Sequence, residues 1–352
     1  MSAAASAEKP RWRASVEEFL PLPLPFGELP EPTPADGPDP YASPDDEWLR
    51  IDWREHLRTI EVPTGEDLYG PSPSARRPSG STEVCFVDCG TSTGLDLLFV
   101  HGLSGSWQNW LENIPHFARH HRVLALDLPG FGASPLPPWE ISIERYGRLL
   151  LDFCTAVGVR DCAVIGNSMG GFIAAEAASR DPERFEQLVL VSAAGVSHAR
   201  ARREPAEVVA RMGAASAPLI LRINNGAMRR PRVRWSAFRQ LVHFPLRLRP
   251  ELLYECFHNG AGKPGFPHAV RTLFGYDILD QLEEVEVPAL IVWGRNDRIV
   301  PAADALEYGR RLHNSRTVIF DRTGHVPQLE RPVRFNRVLE RFLADQPRSA
   351  SP

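Results

Sequence analysis

The stretch "VIGNSMGGFIAA", residues 164–175, places a single serine between small residues. Gly166 lies two positions before Ser168, and Gly170 lies two positions after it. An apolar run precedes the serine and a helix-forming run follows it, so the pattern predicts a sharp turn from a strand into a helix. The residues two before and two after such a serine approach each other closely, so both must be small. The turn raises the Ser168 hydroxyl above the sheet, at the positive end of the following helix.

Continuous apolar runs recur along the chain and are typical of strands buried on both faces of a parallel sheet. They lie at residues 95–102, 122–130, 161–168, 185–193, 287–294 and 315–321. Helical patterns separate them, at residues 141–158, 170–183, 302–312 and 332–345. This alternation predicts an α/β fold with a mostly parallel central sheet and helices on both faces. Before it, "LRTIEV" (57–62) and "TEVCFVDCG" (82–90) are predicted to form a hairpin.

One segment breaks the alternation of strands and helices. Residues 196–282 separate two predicted strands by about 90 residues, far more than an ordinary connection. The segment is rich in helical patterns and basic, with thirteen Arg and one Lys against four Glu and two Asp. It is predicted to be a helical lid, residues 196–284, inserted into the core. A solvated arginine-rich face is the simpler explanation of its charge, and acidic substrates or an anionic surface are the alternative.

Proline is concentrated near the start of the chain, with 14 of the 33 prolines in residues 1–80. Proline lacks an amide donor and fixes φ, so residues 1–44 are predicted to be a disordered arm. The α/β core is then expected in two parts, residues 45–195 and 285–346, on either side of the lid. Residues 347–352 are expected to be a flexible tail.

The composition of the 352 residues limits the possible functions. Hydrophobic residues make up 43% and charged residues 24%, as in soluble globular proteins, and the formal net charge of −4 gives no basic field for nucleic acid. No apolar run approaches the roughly 20 residues needed to span a bilayer. The first residues lack the apolar segment of a secretory signal. Five scattered cysteines are typical of reduced thiols, and a cytoplasmic location is expected.

Two further residues can complete a catalytic group with Ser168, since a serine hydroxyl needs a base to take its proton. Of the eleven histidines, His325 stands in a short loop after the last predicted strand, in "DRTGHVPQLERP". Asp297 follows the preceding strand, in "GRNDRIVP", and can orient the base. A helix cap or turn is the alternative role for this aspartate. The carboxyl ends of parallel strands share one edge of a sheet, so the three side chains are expected to meet there.

An anion site is expected in "VHGLSGSW" (100–107), which follows an earlier strand. Gly102 leaves the backbone free to approach a substrate, and the N–H groups of Leu103 and Met169 are the candidate donors to a developing oxyanion. Trp107 and Phe131 are candidate contacts for an apolar substrate. Ordinary core packing is the competing role for each of the two rings.

These motifs together resemble those of the α/β-hydrolase superfamily. The resemblance covers roughly residues 55–345 and rests on "HGLSGSW", "DLPGFGAS" (127–134), "GNSMGG", "WGRNDRIVP" and "GHVPQLERP". It implies Ser168 as nucleophile, His325 as base and Asp297 as acid, in the chain order that the family uses. It also implies neither a metal nor an organic cofactor. The expected reaction is cleavage of a carboxylic ester of a small, apolar molecule through an acyl-enzyme.

A second reaction remains open within the same family. "GNSMGG" and "WGRNDRIVP" with "FNRVLERFL" look most like the branch that includes meta-cleavage-product hydrolases, which cleave a carbon–carbon bond of a diketone. In that branch the residue before the serine belongs to the site, which would make Asn167 a substrate contact. The aromatic residue that the branch has after its histidine is Val326 here, and its Gly-Pro pair is absent from "HGLSGSW". Ester cleavage therefore ranks first, carbon–carbon cleavage of a ketone second, and a receptor or scaffold without turnover third.

Overall fold

The computed structural model describes residues 29–64, 80–91, 94–197, 225–259, 262–273 and 276–345. Within these ranges the chain builds one eight-stranded sheet in the order β1-β2-β4-β3-β5-β6-β7-β8. The strand β2 is antiparallel to β1 and β4, and every other neighbouring pair is parallel. The strands are β1 (Leu57–Pro63), β2 (Ser81–Gly90), β3 (Asp96–Val100), β4 (Arg122–Leu126), β5 (Cys162–Asn167), β6 (Phe185–Val191), β7 (Ala289–Gly294) and β8 (Ser315–Phe320). The predicted α/β fold and the hairpin that precedes it are confirmed.

Helices cover the sheet and occupy the described part of the predicted lid. They are α1 (Ile114–Phe117), α2 (Ile143–Ala156), α3 (Met169–Arg180), α4 (Asn225–Met228), α5 (Pro231–Phe238), α6 (Pro250–His258), α7 (Phe266–Thr272), α8 (Ala303–Arg311), α9 (Pro327–Glu330) and α10 (Pro332–Ala344). The helices α2, α3, α8 and α10 correspond to the four helical patterns predicted from the sequence. The strong amphipathic pattern of α2 begins at Ser142, whose side chain accepts a hydrogen bond from the Arg145 N–H and caps the helix.

Two hydrophobic clusters lie on opposite faces of the sheet because successive side chains of a strand point in opposite directions. Leu98 and Val100 of β3 belong to one cluster, whereas Leu97 and Phe99 belong to the other. All residues of the central strands β5 and β7 are buried. Burial on both faces explains why these strands are continuously apolar in sequence.

The predicted lid is attached to the loop that follows β3. The amide of Asn109 donates to the Cys256 carbonyl oxygen of α6 at 2.6 Å, and the Cys256 thiol donates to the Gln108 carbonyl oxygen at 3.1 Å. Residues 225–272 of the predicted lid contain α4 to α7, whereas residues 198–224 lie outside the described part of the chain. The described helices thus cover the carboxyl-terminal edge of the sheet next to the predicted anion loop.

The prediction of a disordered arm over residues 1–44 is wrong for residues 29–44, which pack along α10 and β8. The Thr33 N–H donates to the Ile319 carbonyl oxygen at 2.9 Å, which attaches the segment to the edge strand. Arg334 of α10 donates to the Thr33 carbonyl oxygen at 2.6 Å and to Asp39 at 3.2 Å. We call residues 29–46 the N-terminal strap.

Proline does not prevent this packing, because a proline keeps its carbonyl oxygen as an acceptor. Arg295 donates to the Pro30 carbonyl oxygen at 3.0 Å, and Arg337 donates to that of Pro38 at 2.9 Å. Hydrogen bonds from arginine side chains of the core therefore hold these prolines, which cannot donate backbone hydrogen bonds to a neighbouring strand. The remainder of the predicted arm, residues 1–28, and the predicted tail, residues 347–352, lie outside the described residues.

Replacing Gly170 by alanine is expected to destabilise the fold. A Cβ atom at this position would lie 2.3 Å from the Val100 carbonyl oxygen, a contact that forces backbone movement. We expect Gly170→Ala to lower the free energy of unfolding by about 1–3 kcal/mol, measured by urea denaturation followed by circular dichroism. Gly80→Ala is the matched control, because a Cβ atom there meets nothing within 4 Å. Equal stability of the two variants would contradict the close approach.

Candidate active site

Ser168 occupies the predicted turn between β5 and α3 in a strained conformation. Its φ of 56° and ψ of −118° lie in a region that residues with side chains rarely adopt. Hydrogen bonds hold it there: its N–H donates to the Val191 carbonyl oxygen at 2.9 Å, and its own carbonyl oxygen accepts from the Ala194 N–H at 3.0 Å. A Cβ atom at Gly166 would lie 2.3 Å from the Gly170 carbonyl oxygen. Both glycines are therefore required by the turn.

The predicted acid and base form a buried pair. Asp297 Oδ2 lies 2.7 Å from His325 Nδ1, and both side chains are almost fully buried. Asp297 Oδ1 accepts from the N–H groups of Ile299 and Val300 at 2.8 and 3.0 Å, which fixes the carboxylate. Because the carboxylate only accepts, the proton of a neutral His325 ring is assigned to Nδ1. Nε2 is then left unprotonated and can act as a base.

Asn167 ties the histidine loop to the residue next to Ser168. Its amide nitrogen donates to the Val191 carbonyl oxygen at 3.0 Å and to the His325 carbonyl oxygen at 3.3 Å. Backbone carbonyls therefore take both amide hydrogens, and Asn167 bridges two loops instead of presenting its N–H groups to a substrate. The described hydrogen bonds include none from the Ser168 hydroxyl, so the structure joins His325 to Asp297 but not to Ser168.

The predicted anion loop lies beside the serine because β3 and β5 are neighbours, with Val100 paired to Gly166. A Cβ atom at Gly102 would lie 3.0 Å from the Cβ atom of Ser168, so the backbone of Gly102 passes directly against the serine. Neither the Leu103 N–H nor the Met169 N–H has an acceptor within the described ranges. The two predicted oxyanion donors are therefore unpaired next to Ser168.

His101, at the start of "HGLSGSW", orients the anion loop and was not among the predicted site residues. The ring is fully buried, and its Nε2 accepts from the Leu128 N–H at 3.0 Å. Its Nδ1 therefore carries the proton and donates to the Gly102 carbonyl oxygen at 2.7 Å. A trans peptide points its C=O and N–H in opposite directions, so this bond turns the Leu103 N–H the other way. Burial lowers the pKa of His101 to about 4, which keeps the ring neutral at pH 7.

A buried carboxylate fixes the far end of the anion loop. Asp127 accepts from the Trp107 N–H and from the Ala133 N–H, both at 2.8 Å. Burial raises the pKa of Asp127 to about 6, and these two donors offset part of the increase. The side chain thus connects the anion loop to "DLPGFGAS", the segment after β4. Its position at the start of that motif was the available signal for this role.

The two aromatic residues predicted as substrate contacts pack in the core. The Trp107 ring lies 5.0 Å from that of Trp53 between centroids, and Phe131 is fully buried with its ring edge-on to His101 at 5.6 Å. The rings belong to the two hydrophobic clusters on opposite faces of the sheet. A substrate contact for either ring stays a prediction.

The lid lies directly against the loops that carry the acid and the base. The His325 N–H donates to the Leu241 carbonyl oxygen at 2.8 Å, and Arg298, next to the acid, donates to the Arg239 carbonyl oxygen at 2.8 Å. A Cβ atom at Gly324 would lie 2.7 Å from the Leu241 carbonyl oxygen. Lid residues 239–241 therefore pack against both loops without room for an extra methyl group.

The described residues contain neither a metal-binding cluster nor a membrane-spanning helix. In the described portion of the chain, no group of three His, Cys, Asp or Glu side chains is placed to hold a metal ion. No described helix is both long enough and apolar enough to cross a bilayer. All five cysteines are free thiols; four are buried, and Cys85 is partly exposed.

Comparison with known proteins identifies the family. The alpha/beta hydrolase fold model matches residues 97–332, about two thirds of the chain. The chain belongs to the α/β-hydrolase family. It is 30% identical over 276 residues to 2-hydroxymuconate semialdehyde hydrolase of a Pseudomonas species, covering 72% of this chain and 89% of that protein. It is 28% identical over 262 residues to the pimeloyl-[acyl-carrier protein] methyl ester esterase of Aeromonas hydrophila, covering 71% and 96%.

Solved structures agree with this assignment to the α/β hydrolases. A membrane phospholipase A, described as a bacterial virulence factor, superposes with a TM-score of 0.63 at 26% identity, covering 84% of this chain and 89% of that one. Hydrolases of esters and of carbon–carbon bonds thus both occur among the relatives of this α/β hydrolase.

Removing the His101 ring is expected to destabilise the protein in a pH-dependent way. His101→Ala leaves the buried Leu128 N–H without its acceptor and opens a cavity, so we expect a loss of about 2–4 kcal/mol at pH 7. The folded-state pKa of about 4 lies below the ordinary value of 6.5. The unfolded chain therefore gains a proton first as the pH falls, and the advantage of the wild type shrinks between pH 6.5 and 4.

Urea denaturation at several pH values measures this difference in the free energy of unfolding. His313→Ala is the control, because His313 is exposed and its replacement is expected to change stability by less than about 0.5 kcal/mol. A difference between wild type and His101→Ala that stays constant from pH 7 to pH 4 would contradict a buried, neutral His101.

Proposed function

We propose that this α/β hydrolase cleaves carboxylic esters through an acyl-enzyme formed on Ser168. The observation that carries the proposal is the buried 2.7 Å pair of His325 and Asp297, tied through Asn167 to the strained turn of Ser168. Nucleophilic catalysis by a serine requires an oriented imidazole within reach of its hydroxyl, and the buried pair supplies the oriented imidazole. The order of the three residues in the chain also matches the family.

The proposed reaction begins when Ser168 Oγ attacks the ester carbonyl carbon and His325 Nε2 takes the hydroxyl proton. Asp297 stays ionised, holds the ring in the required tautomer and stabilises the imidazolium. The carbonyl oxygen becomes an oxyanion that accepts from the N–H groups of Leu103 and Met169. His325 then gives its proton to the leaving alcohol, and the C–O bond breaks. A water molecule, deprotonated by His325, hydrolyses the acyl-enzyme and releases the acid.

The contacts of the anion loop support an electrostatic contribution to this reaction. Both proposed donors are unpaired, and His101 fixes the peptide that carries one of them before any substrate arrives. Donors that are already oriented do not need to reorganise when the negative charge develops. One such donor is typically worth about 3–4 kcal/mol of transition-state stabilisation. The names of the methyl ester esterase and the phospholipase A among the similar proteins fit ester chemistry.

Carbon–carbon hydrolysis of a diketone is the second candidate. It is favoured by the similarity to 2-hydroxymuconate semialdehyde hydrolase, at 30% identity, and to 2-hydroxy-6-oxo-2,4-heptadienoate hydrolase of Pseudomonas putida, at 29%. The same serine, histidine and anion loop can act on a ketone carbonyl, with a carbon leaving group in place of an alcohol. The amide nitrogen of Asn167, however, donates to two backbone carbonyl oxygens. Its N–H groups are therefore not available for the predicted contact with such a substrate.

Replacement of the nucleophile tests the proposed chemistry. We expect wild type to hydrolyse a series of p-nitrophenyl esters and Ser168→Ala to lose on the order of a million-fold in kcat. Ser179→Ala is the matched control on the same helix, because Ser179 only donates to the Glu176 carbonyl oxygen. Stopped assays of p-nitrophenol release across acyl lengths give kcat and KM. Ser168→Ala with wild-type turnover would refute the proposal.

A parallel assay separates the two candidate reactions. Hydrolysis of a 2-hydroxy-6-oxo-dienoate is measured by the loss of its visible absorbance, under the same conditions as the ester series. Ester cleavage as the main activity predicts a higher kcat/KM for at least one ester than for the dienoate. The opposite ranking, with both activities lost in Ser168→Ala, would favour the carbon–carbon hydrolase.

A further inference from the structure

A fully buried carboxylate, Glu330, lies beneath the loop that carries His325. Its Oε1 accepts from the N–H of Gly324 at 2.9 Å and more weakly from that of Val326 at 3.4 Å, the two neighbours of the histidine. Its Oε2 accepts from the His243 N–H of the lid at 2.8 Å and from the Tyr41 hydroxyl at 2.5 Å. One carboxylate thus joins the histidine loop, the lid and the N-terminal strap.

Tyr41 of the strap contacts the lid as well as Glu330. While its hydroxyl donates to Glu330, the same oxygen accepts from the Phe244 N–H at 2.8 Å. The two rings meet edge-on, with centroids 5.3 Å apart. The Arg331 guanidinium lies over the Tyr41 ring, 4.9 Å from its centroid. The side chain is therefore held on each side, with its hydroxyl placed between the lid and the carboxylate.

The strap is fastened on both sides of Tyr41. Before it, the Asp39 carboxylate accepts from Arg334 at 3.2 Å, and the Asp39 carbonyl oxygen accepts from Arg331 at 3.0 Å. After it, the Ala42 N–H donates to the Glu330 carbonyl oxygen at 2.9 Å. These contacts do not involve the Tyr41 hydroxyl, so they keep the strap in place when that hydroxyl alone is removed.

We propose that Tyr41 is a positioning residue for the active site, which holds the His325 loop and lid residues 241–244 in place through Glu330. The inference rests on the proposed function, because it assigns His325 as the base. The strap, with Tyr41, precedes residues 97–332, which match the family model.

Hydrogen-bond chemistry explains why the hydroxyl matters. A buried carboxylate must have its lone pairs satisfied, and bonds to an ionised acceptor are among the strongest in proteins. Burial raises the pKa of Glu330, whereas the Tyr41 hydroxyl and the three backbone donors favour its charged form. The charged and titratable groups around the pair include Arg247, Arg298, Arg331 and His243. Loss of the hydroxyl leaves the Phe244 N–H unpaired and weakens the hold of Glu330 on the lid and the loop.

The test compares two single-hydroxyl deletions in the full-length chain. Tyr41→Phe removes the hydroxyl and keeps the ring. Tyr276→Phe is the matched control, because Tyr276 also donates to a buried glutamate, Glu176, at 2.5 Å. That pair lies between the predicted lid and α3, where the Tyr276 ring stacks on Phe172 and the described hydrogen bonds of the pair do not reach the His325 loop. Both variants therefore lose a hydrogen bond from a tyrosine hydroxyl to a buried glutamate. Only Tyr41→Phe loses it at Glu330, the carboxylate that contacts the His325 loop.

Two readouts are measured on each variant. Amide hydrogen exchange is followed by mass spectrometry in peptides that cover residues 241–246 and 322–328. Hydrolysis of p-nitrophenyl acetate gives kcat and KM. For Tyr41→Phe we expect exchange to accelerate about tenfold in both peptides and kcat to fall about tenfold, with KM within twofold of wild type. For Tyr276→Phe we expect wild-type values of kcat and of exchange in residues 322–328.

The possible outcomes separate this inference from the proposed function. Unchanged exchange of residues 322–328 in Tyr41→Phe would overturn the positioning role, as would an equal loss of kcat in both variants. If the wild type does not hydrolyse the ester, the proposed ester chemistry fails, and the exchange of the two peptides alone decides whether Tyr41 holds the loop and the lid.

Discussion

Ser168 keeps its positive φ because β5, α3 and the loop after β3 pack closely around it. At the contact points there is room for glycine but not for a residue with a Cβ atom. A Cβ atom at Gly166 or Gly170 would lie 2.3 Å from a backbone oxygen, and one at Gly102 would lie 3.0 Å from Ser168. The strain of such a residue, of the order of 1–3 kcal/mol, persists because the surrounding sheet fixes it. The unpaired Leu103 and Met169 amides lie next to the serine for the same reason. The anion site is therefore a consequence of this close packing.

The parallel sheet explains how distant segments reach the serine. The loops after β3, β5, β7 and β8 all leave the same edge, and strand order changes direction between β3 and β5. Asp297 and His325 follow the last two strands, and Asn167 joins the histidine loop to β5. Lid residues 239–244 and the strap then pack on the outer side of these loops. The candidate base is thus supported from the core, the lid and the N-terminal segment.

The fold and the candidate triad could be predicted from the sequence because they follow local patterns. Continuous apolar runs identify buried strands, and glycines at fixed spacing identify the turn of Ser168. The strap could not be predicted, since its order depends on arginines of α10 that lie about 300 residues away. The bridging role of Asn167 and the support by Glu330 likewise depend on contacts between remote segments. The role of His101 could not be predicted, because it depends on hydrogen bonds to the backbone of Gly102 and Leu128. The only sequence signal for it is its position next to Gly102.

The central claim is that Ser168, His325 and the anion loop form one preorganised site. It is tested most directly by a crystal structure of the protein after reaction with diisopropyl fluorophosphate. We expect a bond from phosphorus to Ser168 Oγ, with the phosphoryl oxygen about 3 Å from the nitrogen atoms of Leu103 and Met169. An unmodified Ser168, or an adduct whose phosphoryl oxygen points away from both amides, would contradict it.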